Sequence, residues 1–171
     1  MLARTALLAA TAALALGACT SRSGNIPGTR VPDSQANRDL IDVVEAYRLA
    51  LENQNVNDLA RMTSRRYWED NGSAAGGDDW GHSKFDGEVR ARFLKSSDIR
   101  YSLRYMNVER RCPKSGNGNE GCIALIDVLI DASFTTNDAR GEPMRHDMRD
   151  QNQIVLEWDK QDNSWKIVAG M

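Results

Sequence analysis

The sequence predicts an α+β domain, three helices followed by four antiparallel strands, and two observations carry that prediction. From Asn37 to about Ser96 the apolar residues recur at steps of three and four, whereas from Tyr101 onward they alternate with polar residues at a step of two. Helices first and strands afterwards is the order of α+β folds, not of alternating α/β folds. The chain has 171 residues, 41% hydrophobic and 27% charged, enough for one globular domain and a tail. Its 22 Lys and Arg are scattered among 24 Asp and Glu, for a net charge of -2, which sets nucleic acid aside as a partner.

Residues 1–18 read as a signal peptide. Arg4 is followed by an apolar, small-residue stretch from Ala6 to Leu16, too short for the roughly 20 residues that a bilayer-spanning helix needs. The run Leu16-Gly17-Ala18-Cys19 resembles the lipobox of bacterial lipoproteins, which implies acylation of Cys19 and a membrane partner held through the N-terminal lipid. Thr20 after the cysteine implies, by the same resemblance, the outer membrane with the protein facing the periplasm. Residues 19–36 are rich in Ser, Gly, Asn, Pro and Thr, with Ile26 and Val31 as aliphatics. That composition predicts a flexible tether able to hold a domain of residues 37–171 tens of ångströms from the lipid.

The domain begins with a helix for which Asn37 is the expected cap and Leu40, Val44, Tyr47 and Leu51 the apolar stripe. A shorter helix follows with Val56, Leu59 and Met62, its start marked by Asn57 and Asp58. Residues 69–82 read as a loop. Ser83 and Asp86 have the spacing of a capping-box variant that opens a third helix with Phe85, Val89 and Phe93 on one face.

In the first strand Tyr101, Leu103 and Tyr105 alternate, and the phase then slips to Met106 and Val108, which predicts a bulge. The second strand, from Cys122 to Phe134, puts Ala124, Ile126, Val128, Ile130, Ala132 and Phe134 on the core face and Ile123, Leu125, Asp127, Leu129 and Asp131 on the other. Met144, His146, Met148, Ile154, Leu156 and Trp158 share a parity in the third strand, and Trp165, Ile167 and Ala169 make the last. Cys112 and Cys122 flank a segment of turn formers between the first two strands. In an oxidising compartment such a pair predicts a structural disulfide across the mouth of the loop.

The segment from Val44 to Leu59, together with Trp165-Lys166-Ile167-Val168 after a polar turn, resembles the opening and the ending of the nuclear transport factor 2-like superfamily. That superfamily includes polyketide-cyclase-like and ketosteroid-isomerase-like domains. The resemblance covers residues 37–171 and implies a cone: a strongly bent antiparallel sheet wrapped around the helices, leaving a cavity. It implies either a noncatalytic domain that binds a partner protein or a small apolar ligand, or a small cofactor-free isomerase or cyclase. Fold alone does not choose between them.

An enzyme of that kind needs a carboxylate or His in an apolar pocket and a donor for an oxyanion. His82, near Asp78 and Asp79, is either a base at a cavity mouth or a residue of a surface loop, and His146 either points inward with Met144 and Met148 or lies on a solvated strand. Tyr47, Tyr101, Tyr105, Trp68 and Trp80 complete the candidate pocket, or simply form core. No phosphate loop, serine-nucleophile motif or zinc spacing is present, so neither a cofactor nor a metal is expected, and no catalytic residue is assigned. Ile123, Leu125 and Leu129, three large aliphatics on the outer face of a strand, form a candidate dimer face for a second copy or an envelope protein.

Overall fold

The computed structural model describes residues 24–70, 78–115 and 118–170. The signal peptide and Cys19 lie outside the described residues. Helices α1 (Gln35–Glu52), α2 (Val56–Met62) and α3 (Phe85–Phe93) precede a sheet of β3 (Ser96–Arg111), β4 (Ile123–Asn137), β5 (Pro143–Asp159) and β6 (Ser164–Ala169). Two short strands, β1 (Trp68–Glu69) and β2 (Trp80–Gly81), pair within the region read as a loop. The large sheet is an antiparallel meander in the order β3-β4-β5-β6. Three helices against a bent four-stranded sheet is the predicted α+β class.

The helix periodicity holds, but all three caps differ from expectation. Ser34, with extended backbone, caps α1 by accepting the Asn37 N–H; Asn37 therefore lies inside the first turn, where its amide donates to the Pro32 carbonyl. Leu40, Ile41, Val44, Tyr47 and Ala50 form the buried stripe. Asn55, rather than Asn57 or Asp58, caps α2 by accepting the Asp58 N–H. No side chain caps α3: a single 3-10 turn, His82–Lys84, runs directly into it, so the expected Ser83 capping box does not form. Phe85 and Val89 are buried as their spacing predicts.

The core face of β4 is the predicted one as far as Ala132, with Ala124, Ile126, Val128, Ile130 and Ala132 all buried, whereas Phe134 near the hairpin end is only partly buried and stacks on His146. Ile154 and Leu156 of β5 and Trp165 and Ile167 of β6 extend it. The expected bulge lies between Tyr105 and Asn107, and a second irregularity lies between Ser97 and Arg100. Bulges of this kind bend a strand and raise its twist, which curls the sheet toward the helices. Cys112 and Cys122 form the disulfide that closes the β3–β4 loop.

The flexible tether expected over residues 19–36 is overturned from Gly24 onward. Residues 24–34 form an arm: Asn25 bridges Pro32, the Ile26 N–H donates to the Val31 carbonyl at 2.9 Å, and the Asp33 N–H donates to the Gly24 carbonyl at 2.8 Å. The Arg30 N–H donates to the Tyr105 carbonyl on β3 at 3.0 Å, and Val31 is 0% exposed. Average composition hides this because two aliphatics five residues apart can fold a short polar segment onto an existing core. Val31→Ala is expected to lower the unfolding free energy by about 2 kcal/mol. Urea unfolding checks this; a change within about 0.5 kcal/mol, as at an exposed site, would return the arm to the status of a tether.

Candidate functional site

The helices and the small β1–β2 hairpin enclose an aromatic cavity of about 80 Å³. Tyr47 and Leu51 of α1 and Leu59 of α2 form one wall; Phe85, Val89, Arg92 and Phe93 of α3 form another, and Tyr67 and Trp80 complete it. The rings interlock. Tyr67 and Trp80 lie 5.5 Å apart, Tyr67 and Phe85 5.5 Å at near right angles, and Trp80 and Phe85 5.8 Å. The Arg92 guanidinium sits 5.6 Å from the Trp80 ring centroid, within cation–π range.

Polar groups at this site are few. The Tyr67 hydroxyl donates to Glu69 Oε2 at 2.6 Å. Trp80 Nε1 and Asp79 Oδ1, in neighbouring residues, are both buried without a hydrogen-bond partner among the described residues. Among the described residues no carboxylate and no histidine lines the cavity.

The seven residues predicted to share a pocket do not. Tyr47 and Trp80 line the cavity, and Tyr101 stands edge-on to Tyr47 with centroids 6.3 Å apart. The Tyr105 hydroxyl instead donates to Glu45 Oε1 at 2.7 Å. Trp68 is 55% exposed, because adjacent residues of an extended segment point opposite ways and Tyr67 takes the inward position. His82 lies in a separate surface groove of about 250 Å³ with Thr63, Arg65, Asp159 and Lys166, not at the cavity mouth. His146 is near the end of the β4–β5 hairpin, stacked on Phe134 at 4.9 Å and bonded through Nε2 to the Thr136 hydroxyl at 2.8 Å. Leu51, Leu59, Tyr67, Phe85, Val89, Arg92 and Phe93 are the lining residues that the sequence did not single out as a pocket. The four-residue spacing of Phe85, Val89 and Phe93 was the available signal.

On the outer face of the sheet, Ile123 is 43% exposed, and Leu125 and Leu129 are partly buried. Leu125 stands opposite Val155 of β5. The acids between them are held by neighbours. Asp127 accepts from Gln153 Nε2 at 2.8 Å and Asn107 Nδ2 at 3.3 Å, while Asp131 pairs with Arg149 at 2.5 Å and lies 3.6 Å from Arg104. A buried carboxylate elsewhere, Glu157, accepts from the Ser64 hydroxyl and pairs with Arg66, so it serves structure.

No family model and no curated protein matches this sequence. Solved structures do match in fold. A ketosteroid isomerase-like protein from Erwinia carotovora superimposes with a TM-score of 0.58 at 12% identity, covering 81% of this chain and 95% of that one. A structure from Novosphingobium aromaticivorans named for scytalone dehydratase gives 0.59 at 13% identity, covering 79% and 80%. One from Xanthomonas campestris, named for a calcium/calmodulin-dependent protein kinase II association domain, gives 0.52 at 15% identity, covering 81% and 86%. The fold is the nuclear transport factor 2-like fold that the sequence resembles. At these identities the likeness extends to the fold alone.

All four tyrosines of the chain, Tyr47, Tyr67, Tyr101 and Tyr105, have pKa values raised chiefly by burial, and Tyr101 is pushed up to about 12. Each phenol holds its proton more tightly folded than unfolded. Their contribution is therefore complete below the ordinary tyrosine pKa of about 10 and is lost as pH rises toward the folded value. An alkaline titration followed by tyrosinate absorbance should show no independent step near pH 10, only a rise that coincides with unfolding. A reversible step there with the fold intact would contradict the burial of these rings.

Proposed function

We propose that this is a noncatalytic, lipid-anchored protein of the bacterial cell envelope, facing the periplasm from the outer membrane. It acts by holding a protein partner, a second copy of itself included, on the outer face of its sheet. The observation that carries this reading is the cavity. At about 80 Å³ it is well below the roughly 300 Å³ of an ordinary ligand pocket, and its lining among the described residues supplies no base. A small apolar ligand is thereby disfavoured against a protein partner. On the outer face, Ile123 and Leu125 with Val155 opposite form an apolar patch, separated from Leu129 by the satisfied Asp127 network and bordered beyond it by that of Asp131, surface that an interface could use as core and polar rim. The association-domain neighbour shows the same fold in a protein named for assembly.

One observation favours a second reading. Asp79 and Trp80 are adjacent and each keeps a buried polar atom without a partner. A carboxylate base beside an indole N–H donor is the minimum equipment of a cofactor-free isomerase or dehydratase, the names carried by two of the fold neighbours. That reading requires the cavity to enlarge around a substrate.

Leu125→Arg separates the two. Native mass spectrometry of the detergent-solubilised mature protein should show a dimer, or a complex with an envelope protein. Leu125→Arg should convert it to a monomer while the thermal transition moves by only a few degrees. A native protein that is monomeric and partnerless at micromolar concentration contradicts the binding reading. Turnover that is lost in Asp79→Asn, with the fold intact, establishes the enzymatic one.

A further inference from the structure

We propose that the anchored domain is docked against the bilayer headgroups on the side that carries its N-terminal arm, with the edge of β3 toward the lipid. This inference rests on the lipid-anchor reading of Cys19. The composition of residues 19–36 implied a tether of 17 peptide steps, a reach of about 60 Å. A domain on so long a leash has no preferred orientation. The arm removes most of that length.

From Gly24 onward the chain belongs to the folded unit. The Gly24 carbonyl accepts from Asp33, Asn25 bridges Pro32, Arg30 is bonded to β3, and Val31 is in the core. Asp33 is fastened in turn to the Arg38 guanidinium of α1 at 2.7 and 2.5 Å. Between the lipidated cysteine and the first fixed residue there remain five peptide steps, whose fully extended reach is about 16 to 18 Å. A domain of about 150 residues has a radius of gyration of about 15 Å and is about 40 Å across. Five peptide steps are therefore shorter than the domain is wide even at full extension, and the side opposite the arm cannot reach the membrane.

The surface brought to the lipid follows from where the arm lies. Arg30 donates to the Tyr105 carbonyl from outside the sheet, and β3 is an edge strand, so the arm lies along that edge. The exposed turn residues Pro27, Gly28 and Arg30 and the start of α1 stand beside it. The occupant of this surface is the phospholipid headgroup layer, specified by chain length and not by a basic patch. β6, at the other edge of the sheet, faces away. The sheet then stands upright on the membrane, and its outer face looks sideways along the bilayer. Two copies can pair there with both lipids in one leaflet.

The test uses the full mature lipidated chain in a supported bilayer of phosphatidylethanolamine and phosphatidylglycerol, with the headgroup-to-protein gap read by neutron reflectometry. The expected gap is no more than about 18 Å. It should widen severalfold when about fifteen Gly and Ser residues are inserted between Ser23 and Gly24. Hydrogen exchange on the same sample should show the Arg30 and Val31 amides protected to the level of β3. A gap well beyond about 18 Å, or an insertion that leaves it unchanged, overturns the docking, as do amides at 30 and 31 that exchange freely. Intact mass reports the acyl chains independently: a Cys19 without lipid overturns the anchor itself and the docking with it, so the two failures are read apart.

Discussion

The edge of β3 between Tyr101 and Tyr105 is the place on which helices, arm and sheet all depend. An edge strand presents unpaired N–H and C=O groups that must be covered or left as a template for aggregation. Here they are covered from two directions. Glu52 Oε1 accepts the Tyr101 N–H at 2.9 Å, and Arg48, already paired with Glu45 and Glu52, reaches the Tyr101 carbonyl at 3.5 Å. One turn of α1 thus supplies both an acceptor and a donor to the strand. Farther along, the Tyr105 carbonyl receives the arm through Arg30 and the Tyr105 hydroxyl returns to Glu45. The bonds to the Glu52 and Glu45 carboxylates belong to the charge-assisted class, worth about 1.5 to 3 kcal/mol each when shielded from water, whereas the Arg30 bond runs from backbone to backbone. Together they set the position of α1 over the sheet more narrowly than its apolar stripe alone can. At the other edge Ser64 donates to Ile167 of β6, so the chain covers that edge by the same means.

That arrangement explains why the cavity is small. With α1 drawn onto β3, Tyr47 meets Tyr101 edge-on and Leu51 faces α3 across a space already filled by Tyr67, Trp80 and Phe85. A fold whose relatives in shape include proteins named as isomerases and dehydratases here packs its interior with interlocked rings. Packed aromatic interiors are close to crystal density and admit little without rearrangement. The space between the helices therefore stays small, and the larger groove of about 290 Å³ lies beside it, where Tyr101, Ala132 and Met148 meet Glu52 and Asp131.

How much of this was legible in the sequence depends on what a periodic pattern encodes. The change from a step of three or four to a step of two located the helices and strands, and the phase slip after Tyr105 located a bulge, because both are local consequences of side-chain direction. Parity also placed His146 on the same face as Met144 and Met148. Yet those methionines are about half exposed, since the hairpin end projects past the helices that cover the rest of that face. Parity reports a face, and only tertiary packing reports whether anything lies over it. Trp68 fails for the converse reason: in a two-residue strand flanked by turns, nothing in the sequence says whether Tyr67 or Trp68 points inward. The arm was hidden because Val31 is one buried residue among polar neighbours, too little for a compositional average to register.

The arm changes the meaning of the anchor. In a flexible leash, a lipid and a domain are independent objects, and the lipid contributes only proximity. Here the arm is bonded to Tyr105, the residue whose hydroxyl also reaches Glu45 of α1, so on the proposed lipid anchor the chain leading from the lipid is fastened, from Gly24 onward, to the same strand edge that positions the helix layer. Force on the lipid would load the arm's bonds to β3 and the Asp33–Arg38 pair before it reached the core. On the proposed docking, the anchor would set orientation as well as location. On the proposed anchoring and docking, a protein partner meeting Ile123, Leu125 and Leu129 would approach along the plane of the membrane, which would favour partners that are themselves held at that surface over those diffusing in from the aqueous space.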